Sequence, residues 1–176
     1  MVLSREIKNW KLPFVFFIVV ILFSGCTIAY KFNGASIDYT KTKTISVAEF
    51  TNTSELVYAP LAQQFSEKLR DIYTRNTRLQ VLKKGGDLQL EGEITEFYLT
   101  PMAISADTYA SQTKLTVTIN VRFKNNKNPQ DDFEKKYSAY QAFDSSKLLN
   151  DVQDELLKTI MEEISDNIYN ETVAKW

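Results

Sequence analysis

The fold is decided by the stretch Leu115-Thr116-Val117-Thr118-Ile119-Asn120-Val121-Arg122-Phe123. Aliphatic or aromatic side chains occupy every odd position, and polar side chains occupy every even position between them. Successive side chains of a β-strand point to opposite faces of the sheet, so this pattern predicts a strand with one buried face and one solvent-facing face. The predicted strand extends over residues 111–124 and is the clearest secondary-structure signal in the chain.

Two further strands are predicted beside this one. The polar run NNKNPQ at 125–130 predicts a turn, and residues 133–143 after it predict a strand. Residues 87–99 also alternate, and continuing that alternation to the end places Phe97 and Leu99 on the polar face. Because the intervening turns are short, we expect these three strands to form an antiparallel meander.

Two segments show the three- and four-residue spacing of apolar side chains that is typical of amphipathic helices. The first begins at Pro60, which the first turn of a helix tolerates because its missing N–H has no partner there, and it continues past Ile72. The second runs to about Ala174, and Ser145 or Ser146 is its expected N-cap.

Two shorter strand signals complete the pattern. Residues 44–50 precede the first helix, and residues 78–83 follow it and end before a turn at Gly85-Gly86. The order β-α-β-β-β-α, with the short signal at 78–83 as an additional fifth strand, predicts an α+β fold, a two-layer sandwich with a mixed four-to-five-stranded sheet and two helices on one face. The strand at 44–50 reaches the others through a helix, which permits parallel pairing with one of them.

The N-terminus has the composition of an export signal. Residues 1–11 carry three basic side chains and one acidic one, and an apolar run follows at 12–23. A spanning helix needs about 20 apolar residues, so this run predicts a cleaved signal peptide instead. It ends in Leu22-Phe23-Ser24-Gly25-Cys26, which resembles the lipobox of bacterial lipoproteins, although Phe23 replaces the usual Leu. We predict that Cys26 is acylated; the alternatives are an ordinary secretory signal or a short membrane anchor.

This interpretation divides the chain into a lipoprotein signal peptide at 1–25, an acylated cysteine and linker at 26–42, and a single periplasmic domain at 43–176. Several acyl chains such as palmitate on one residue anchor a protein firmly, whereas one chain binds reversibly. Thr27 stands where inner-membrane lipoproteins of Gram-negative bacteria have Asp. We therefore expect attachment to the outer membrane on its periplasmic side.

The composition excludes several kinds of site. The 176 residues include one Cys and no His, so the chain has no Ser–His or Cys–His nucleophile pair and no imidazole metal ligand. A single Cys allows no internal disulfide and no thiolate-rich metal site. A formal net charge of -1 gives no general attraction to nucleic acid. We expect no catalytic activity, no metal, no nucleic-acid partner and no cofactor beyond the covalent lipid.

Two predicted turns carry basic residues that could contact a phosphorylated ligand through charge-assisted hydrogen bonds. The five candidates are Lys83 and Lys84 at the first turn, and Arg122, Lys124 and Lys127 at the second. The alternative is a charge-balanced surface, because acidic side chains lie opposite in the second hairpin. Those acidic residues are Asp131, Asp132 and Glu134.

An apolar segment at 100–110 joins two of the strands. It contains Met102, Ile104 and Tyr109. Such a segment either packs against the core or forms a docking surface, and an exposed apolar patch marks a contact site. These three residues are the candidate partner surface.

Five stretches resemble the LptE family of lipopolysaccharide-assembly lipoproteins. They are YKFNGASI at 30–37, TRLQVL at 77–82, GGDLQLEGEIT at 85–95, LTVTINVRF at 115–123 and the tail at 154–176. The resemblance implies a non-enzymatic outer-membrane lipoprotein that assembles with and plugs the LptD β-barrel and binds lipopolysaccharide during its transport to the outer leaflet. The family's own lipopolysaccharide-contacting residues have no clear counterpart here, so the five basic residues are candidates on charge alone.

A second interpretation is a regulatory lipoprotein that activates a peptidoglycan synthase, or a secretion component of the curli type. Those proteins also combine a lipobox with a small α/β domain, and VAEFTNT at 47–53 resembles their opening strand. Co-purification with a β-barrel or with a penicillin-binding protein separates the two interpretations.

Overall fold

The computed structural model describes residues 37–56, 58–102 and 111–173. Its strands are β1 (Thr44–Val47), β2 (Thr51–Asn52), β3 (Gln80–Leu82), β4 (Leu88–Pro101), β5 (Gln112–Asn125) and β6 (Phe133–Asp144). Its helices are α1 (Pro60–Asn76) and α2 (Leu149–Thr172), and a single 3-10 turn, Pro129–Asp131, lies between β5 and β6. The predicted α+β fold with a mixed sheet and two helices is confirmed.

The antiparallel meander is formed by β4, β5 and β6. At its centre, Ile119 lies opposite Ile94 on one side and Tyr137 on the other. The odd-numbered apolar residues of β5 are all buried, as the alternation predicted. On the opposite face, Thr116 and Thr118 are also only 5% exposed, because the neighbouring strands flank them.

Both helices pack their apolar sides into one core with the sheet. The α1 helix buries Leu61, Phe65 and Leu69 at the predicted spacing, because residues three and four apart lie on the same side of a helix. The core residues of α2 are Leu157, Ile160, Ile164 and Ile168. Within the described ranges, neither helix is long and apolar enough to cross a membrane.

The sheet order is β3-β1-β4-β5-β6, which places the first strand inside the sheet. Strand β1 pairs in parallel with both β3 and β4. The short strand β2 follows β1 and also pairs in parallel with β4. The parallel pairing that the sequence permitted is confirmed. The turn at 85–87 is therefore not a hairpin, because β3 and β4 lie on opposite sides of β1.

The connection from β3 to β4 passes directly against the backbone of β1. A Cβ placed on Gly86 would lie 2.5 Å from the backbone N of Ser46 and 2.8 Å from the carbonyl C of Ile45. Only glycine leaves room for such a close approach between two backbones. Gly86 is therefore the residue that allows a five-residue crossover.

A β-bulge in β4 changes which residues face the core. The register with β5 shifts between Ile94 and Glu96, so Thr95 is the extra residue. Phe97 consequently lies opposite Val117 and is 5% exposed, so its predicted position on the polar face is wrong. Leu99 shares the core-side orientation of Phe97 but remains 39% exposed at the strand end.

The strand predicted at 44–50 ends at Val47, and the short strand β2 follows at Thr51–Asn52, beyond the predicted boundary. The backbone N–H of Phe50 donates a hydrogen bond to the Ser66 hydroxyl on α1, 2.9 Å away, instead of continuing the β-ladder. The Phe50 ring meets Phe65 edge-on, with centroids 5.1 Å apart, and lies directly over Gly92, which has no side chain to obstruct it.

The predicted N-cap of the second helix is wrong. The helix begins at Leu149, and Leu148 is the N-cap without a side-chain hydrogen bond. Ser145 is held at the strand end, since its backbone N–H donates to the carbonyl oxygen of Ser111 at 3.0 Å. The backbone N–H of Ser146 donates to the Asp144 carboxylate at 2.8 Å. Both serines therefore close the end of β6.

Candidate functional site

Three basic side chains surround a shallow cleft at the carboxyl ends of β1 and β3. The two strands are parallel, so the residues that follow them meet at the same edge of the sheet. Ala48 and Glu49 follow β1, and Lys83 and Lys84 follow β3. Arg70 joins them from α1, and these five residues line a cleft of about 420 Å³. We call Arg70, Lys83 and Lys84 the basic cluster.

The basic cluster is anchored through Arg70. Its guanidinium Nε donates a hydrogen bond to the carbonyl oxygen of Val47, 3.3 Å away, which holds the side chain at the end of β1. Lys83 and Lys84 are exposed and form no ion pair with any described residue. Glu49 is the single carboxylate in the cleft lining, so cationic groups predominate there.

Arg70 was not predicted as a site residue. It lies on the polar side of α1 among other polar residues, and helical spacing does not show which of them faces the sheet edge. Its position follows from the pairing of β1 with β3. That pairing joins residues about 36 positions apart, such as Thr44 and Gln80, and leaves no local sequence signal.

The other three basic candidates lie elsewhere, because β1 and β4 separate β3 from β5. Arg122 on β5 forms an ion pair with Glu91 at 3.2 Å. Lys127 in the β5–β6 turn forms an ion pair with Asp87 at 3.0 Å. Lys124 is exposed, and none of the residues that the structure describes forms an ion pair with it. The structure thus divides the five candidates into two separate groups.

Asp87 organises the β5–β6 end of the domain. Its carboxylate accepts hydrogen bonds from the backbone N–H of Lys43 at 2.9 Å and from that of Thr44 at 3.1 Å, and also from the Thr44 hydroxyl. Hydrogen bonds hold the pKa of this carboxyl far below its ordinary value of 3.8. The bond from the Lys43 amide contributes most, followed by those from the Lys127 ammonium group and from Thr44. Lys127 is therefore part of a structural charge network.

A polar cleft of about 380 Å³ lies beside this network. Its lining includes two lysines, Lys41 and Lys127, and two aspartates, Asp38 and Asp131. Lys41 lies 3.6 Å from the Asp38 carboxylate, and Lys127 is bound to Asp87. Since these charges balance locally, the cleft does not select anions as the basic cluster does.

Exposed apolar side chains lie where β4 ends, at the end of the sheet that is opposite to the Asp87 network. The sheet register and chain connections place them there: Leu99 and Met102 at the end of β4, Leu148 before α2, and Leu56 after β2. Leu148 is the most exposed of them, at 72%. Met102 is 39% exposed, and its backbone N–H donates to the carbonyl oxygen of Gln112. We call these four residues the apolar end.

Several predicted site residues lie outside the described residues. Ile104 and Tyr109 of the candidate partner surface do so, and so does Cys26 with its predicted acylation. Within residues 37–56, 58–102 and 111–173, no group of three His, Cys, Asp or Glu side chains could hold a metal ion.

Comparison with solved structures supports this fold. A crystal structure of a Xanthomonas campestris protein matches with a TM-score of 0.51 at 12% identity, over 75% of this chain and 84% of that chain. A minor lipoprotein from Acinetobacter baumannii matches with a TM-score of 0.47 at 11% identity, over 72% and 94%. The PelC dodecamer from Paraburkholderia phytofirmans matches with a TM-score of 0.46 at 10% identity, over 80% and 95%. The first of these shows the fold.

Comparison with protein families identifies the chain more closely. No curated protein sequence matches it. A family model described as "LptE: Lipopolysaccharide-assembly" matches residues 42–172, which include every strand and both helices described above. Because this match covers well over half of the chain, the protein belongs to the LptE family of lipopolysaccharide-assembly lipoproteins.

Proposed function

We propose that this lipoprotein assembles with an LptD-type β-barrel at the outer membrane, plugs its lumen and takes part in lipopolysaccharide transport to the outer leaflet. The family match over residues 42–172 carries this proposal. Members of the family are non-enzymatic lipoproteins associated with the outer membrane. The proposal goes beyond this family membership in three respects. It names an LptD-type barrel as the partner, it places the protein in the barrel lumen, and it includes direct binding of lipopolysaccharide.

The basic cluster supports a contact with lipopolysaccharide phosphates. Removal of the predicted signal peptide removes three basic residues and one acidic residue, so the mature chain repels a polyanion overall. Binding therefore requires a local concentration of positive charge. Lys83 and Lys84 are exposed at the cleft, and Arg70 adds a planar guanidinium group that suits bidentate phosphate contacts.

The apolar end supports a contact with the barrel. Four of the exposed large apolar side chains, those of Leu148, Leu56, Leu99 and Met102, belong to segments that the register and the chain connections bring to this end of the domain. Exposed apolar groups that cluster in this way mark protein contacts. Met102 also belongs to the predicted partner surface, which continues in the sequence to Ile104 and Tyr109.

The predicted anchor on Cys26 would raise the effective concentration of the domain at its partner. A tether converts a second binding event into an intramolecular one without any new contact. We therefore expect Cys26→Ala to leave the domain folded but to lower the amounts of mature barrel and of surface lipopolysaccharide. Unchanged amounts of both in that variant would contradict the role of the tether.

The central experiment is depletion of the protein combined with affinity purification from detergent-solubilised envelopes. We expect a large β-barrel to co-purify, and we expect depletion to reduce surface lipopolysaccharide as measured by whole-cell labelling. Purification of a penicillin-binding protein or a secretion pore in place of the barrel, with surface lipopolysaccharide unchanged, would overturn the proposal.

A further inference from the structure

The uncovered face of the sheet carries a row of three residues across β4, β5 and β6. Tyr98 lies opposite Thr116, and Thr116 lies opposite Tyr140, so all three side chains project from the face that the helices leave open. Tyr98 is 41% exposed and Tyr140 is 55% exposed. Two strand spacings separate the tyrosines, which places their backbones about 10 Å apart.

Thr116 differs from the next threonine on the same face. The Thr118 hydroxyl donates to the Glu96 carboxylate at 2.8 Å and is hydrogen-bonded to the Ser138 hydroxyl, which lies 3.0 Å away. The Thr116 hydroxyl is buried and has no hydrogen-bond partner among the described residues. A hydroxyl group that can donate once and accept twice is thus held unpaired between two exposed aromatic rings.

The surroundings of this row are polar. The ammonium group of Lys114 lies 4.9 Å from the centroid of the Tyr140 ring, within cation–π range. Thr100, Glu96 and Ser138 occupy adjacent exposed positions on the same face. A purely apolar partner would desolvate these groups without pairing them, so the row suits a polar ligand that has apolar faces.

We propose that Tyr98, Thr116 and Tyr140 form a binding platform for an oligosaccharide that carries acidic groups. A pyranose ring presents a flat C–H face, which stacks on an aromatic ring, and a rim of hydroxyl groups, which form hydrogen bonds. Tyrosine offers a large, rigid and amphipathic contact area for such a ligand. The Thr116 hydroxyl pairs with a sugar hydroxyl when an exposed tyrosine ring turns aside, and Lys114 meets an acidic substituent.

This platform deepens the proposed function, and it rests on that function only for the source of the glycan. The basic cluster and the platform lie in different parts of the domain, the former beside β3 and the latter across β4, β5 and β6. The source we propose is the core oligosaccharide of lipopolysaccharide. The glycan strands of peptidoglycan share this saccharide chemistry and are the competing outcome of the test. Titration with defined saccharides therefore tests the platform independently of depletion phenotypes.

The experiment uses the full chain purified in a mild detergent and titrated with three probes. These are lipid-free core oligosaccharide, soluble peptidoglycan glycan strands and neutral maltooligosaccharide. We expect the core oligosaccharide to bind, and we expect Tyr98→Ala and Tyr140→Ala each to weaken this binding about tenfold or more. Tyr39→Ala is the matched control, because Tyr39 is 37% exposed but belongs to neither β4 nor β6.

Thr116→Val gives a second readout that a structural role would not produce. Replacing an unpaired buried hydroxyl with an isosteric methyl group should leave the melting temperature unchanged or raise it, while weakening saccharide binding. Binding of the core oligosaccharide supports the proposed source, whereas binding of the peptidoglycan strand in its place would contradict that source. If no acidic glycan binds, or if the three platform variants Tyr98→Ala, Tyr140→Ala and Thr116→Val all bind as the wild type does, the platform proposal is wrong, whatever the depletion experiment shows.

Discussion

The carboxylate of Asp87 accepts a hydrogen bond from the ammonium group of Lys127, 3.0 Å away, and thereby joins the start of β4 to the β5–β6 turn. The same carboxylate binds two backbone amides at the start of β1. One side chain therefore connects three segments that are distant in the sequence. Its negative charge is the common element of these contacts.

Asp87→Asn should destabilise the protein by about 2 kcal/mol at pH 7, because it weakens hydrogen bonds to a charged group. The folded-state pKa of Asp87 lies below its unfolded value of 3.8, so the charge stabilises the protein above pH 3.8. That contribution is lost as the pH falls through the folded-state pKa. Urea denaturation at several pH values should show the difference from wild type shrinking in acid. Asp166→Asn, at an exposed position on α2, should show no such difference.

Gly86→Ala should be much more harmful than Gly85→Ala. A Cβ at position 86 meets three backbone atoms at 2.5 to 2.8 Å, and backbone cannot move aside cheaply, so we expect a loss of about 3 kcal/mol or more. Gly85 has a φ of +77° with open space around it, so alanine there costs only about 1 kcal/mol of backbone strain. Equal losses in chemical denaturation would contradict the crossover against β1.

Phe97→Ala and Tyr98→Ala test the register after the bulge. Phe97 is 5% exposed within the core, so its truncation should cost about 3 to 5 kcal/mol. Tyr98 is 41% exposed on the open face, and its truncation should cost about 1 kcal/mol or less. Thermal and chemical unfolding of the two variants measure this directly. The reverse order would indicate an uninterrupted alternation, without the bulge at Thr95.

The double variant Lys83→Gln and Lys84→Gln should weaken lipopolysaccharide binding and reduce its dependence on salt concentration. Each removed charge–phosphate contact reduces the electrostatic part of the binding free energy, which salt screens. Lys136→Gln with Lys158→Gln is the control, since it removes the same number of exposed charges from β6 and α2, at positions that are not candidate contacts. A pulldown with immobilised lipopolysaccharide at low and high salt provides the measurement. Equal weakening by the two double variants would mean that net charge, and not the cluster, determines binding.

The local patterns of the sequence predicted most of the fold. The alternation at Leu115–Phe123 and the helical spacing after Pro60 both correspond to burial in the structure, because each depends only on which face of one element is covered. The position of β1 between β3 and β4 depends on pairings across 36 to 43 residues. No single window of the sequence contains that information.

The remaining errors have local physical causes. The bulge at Thr95 inserts one residue, which reverses every later face assignment in β4 and so misplaced Phe97. Ser145 and Ser146 have the chemistry of N-caps, but their backbone groups are used to close β6. The candidate site was only partly predictable, because Lys83 and Lys84 are adjacent in sequence whereas Arg70 reaches them through the tertiary structure.

The interior position of β1 has a consequence for the order in which the protein folds. Thr44–Val47 is the first of the described strands to be synthesised, yet both of its neighbours, β3 and β4, are made later. Its apolar residues Ile45 and Val47 therefore have no β-partner until the chain has been extended to Leu90. An unpaired apolar strand is prone to aggregation during that interval. Pairing between segments that are distant in the sequence also slows folding. A chaperone that binds extended apolar segments would find a target in this strand.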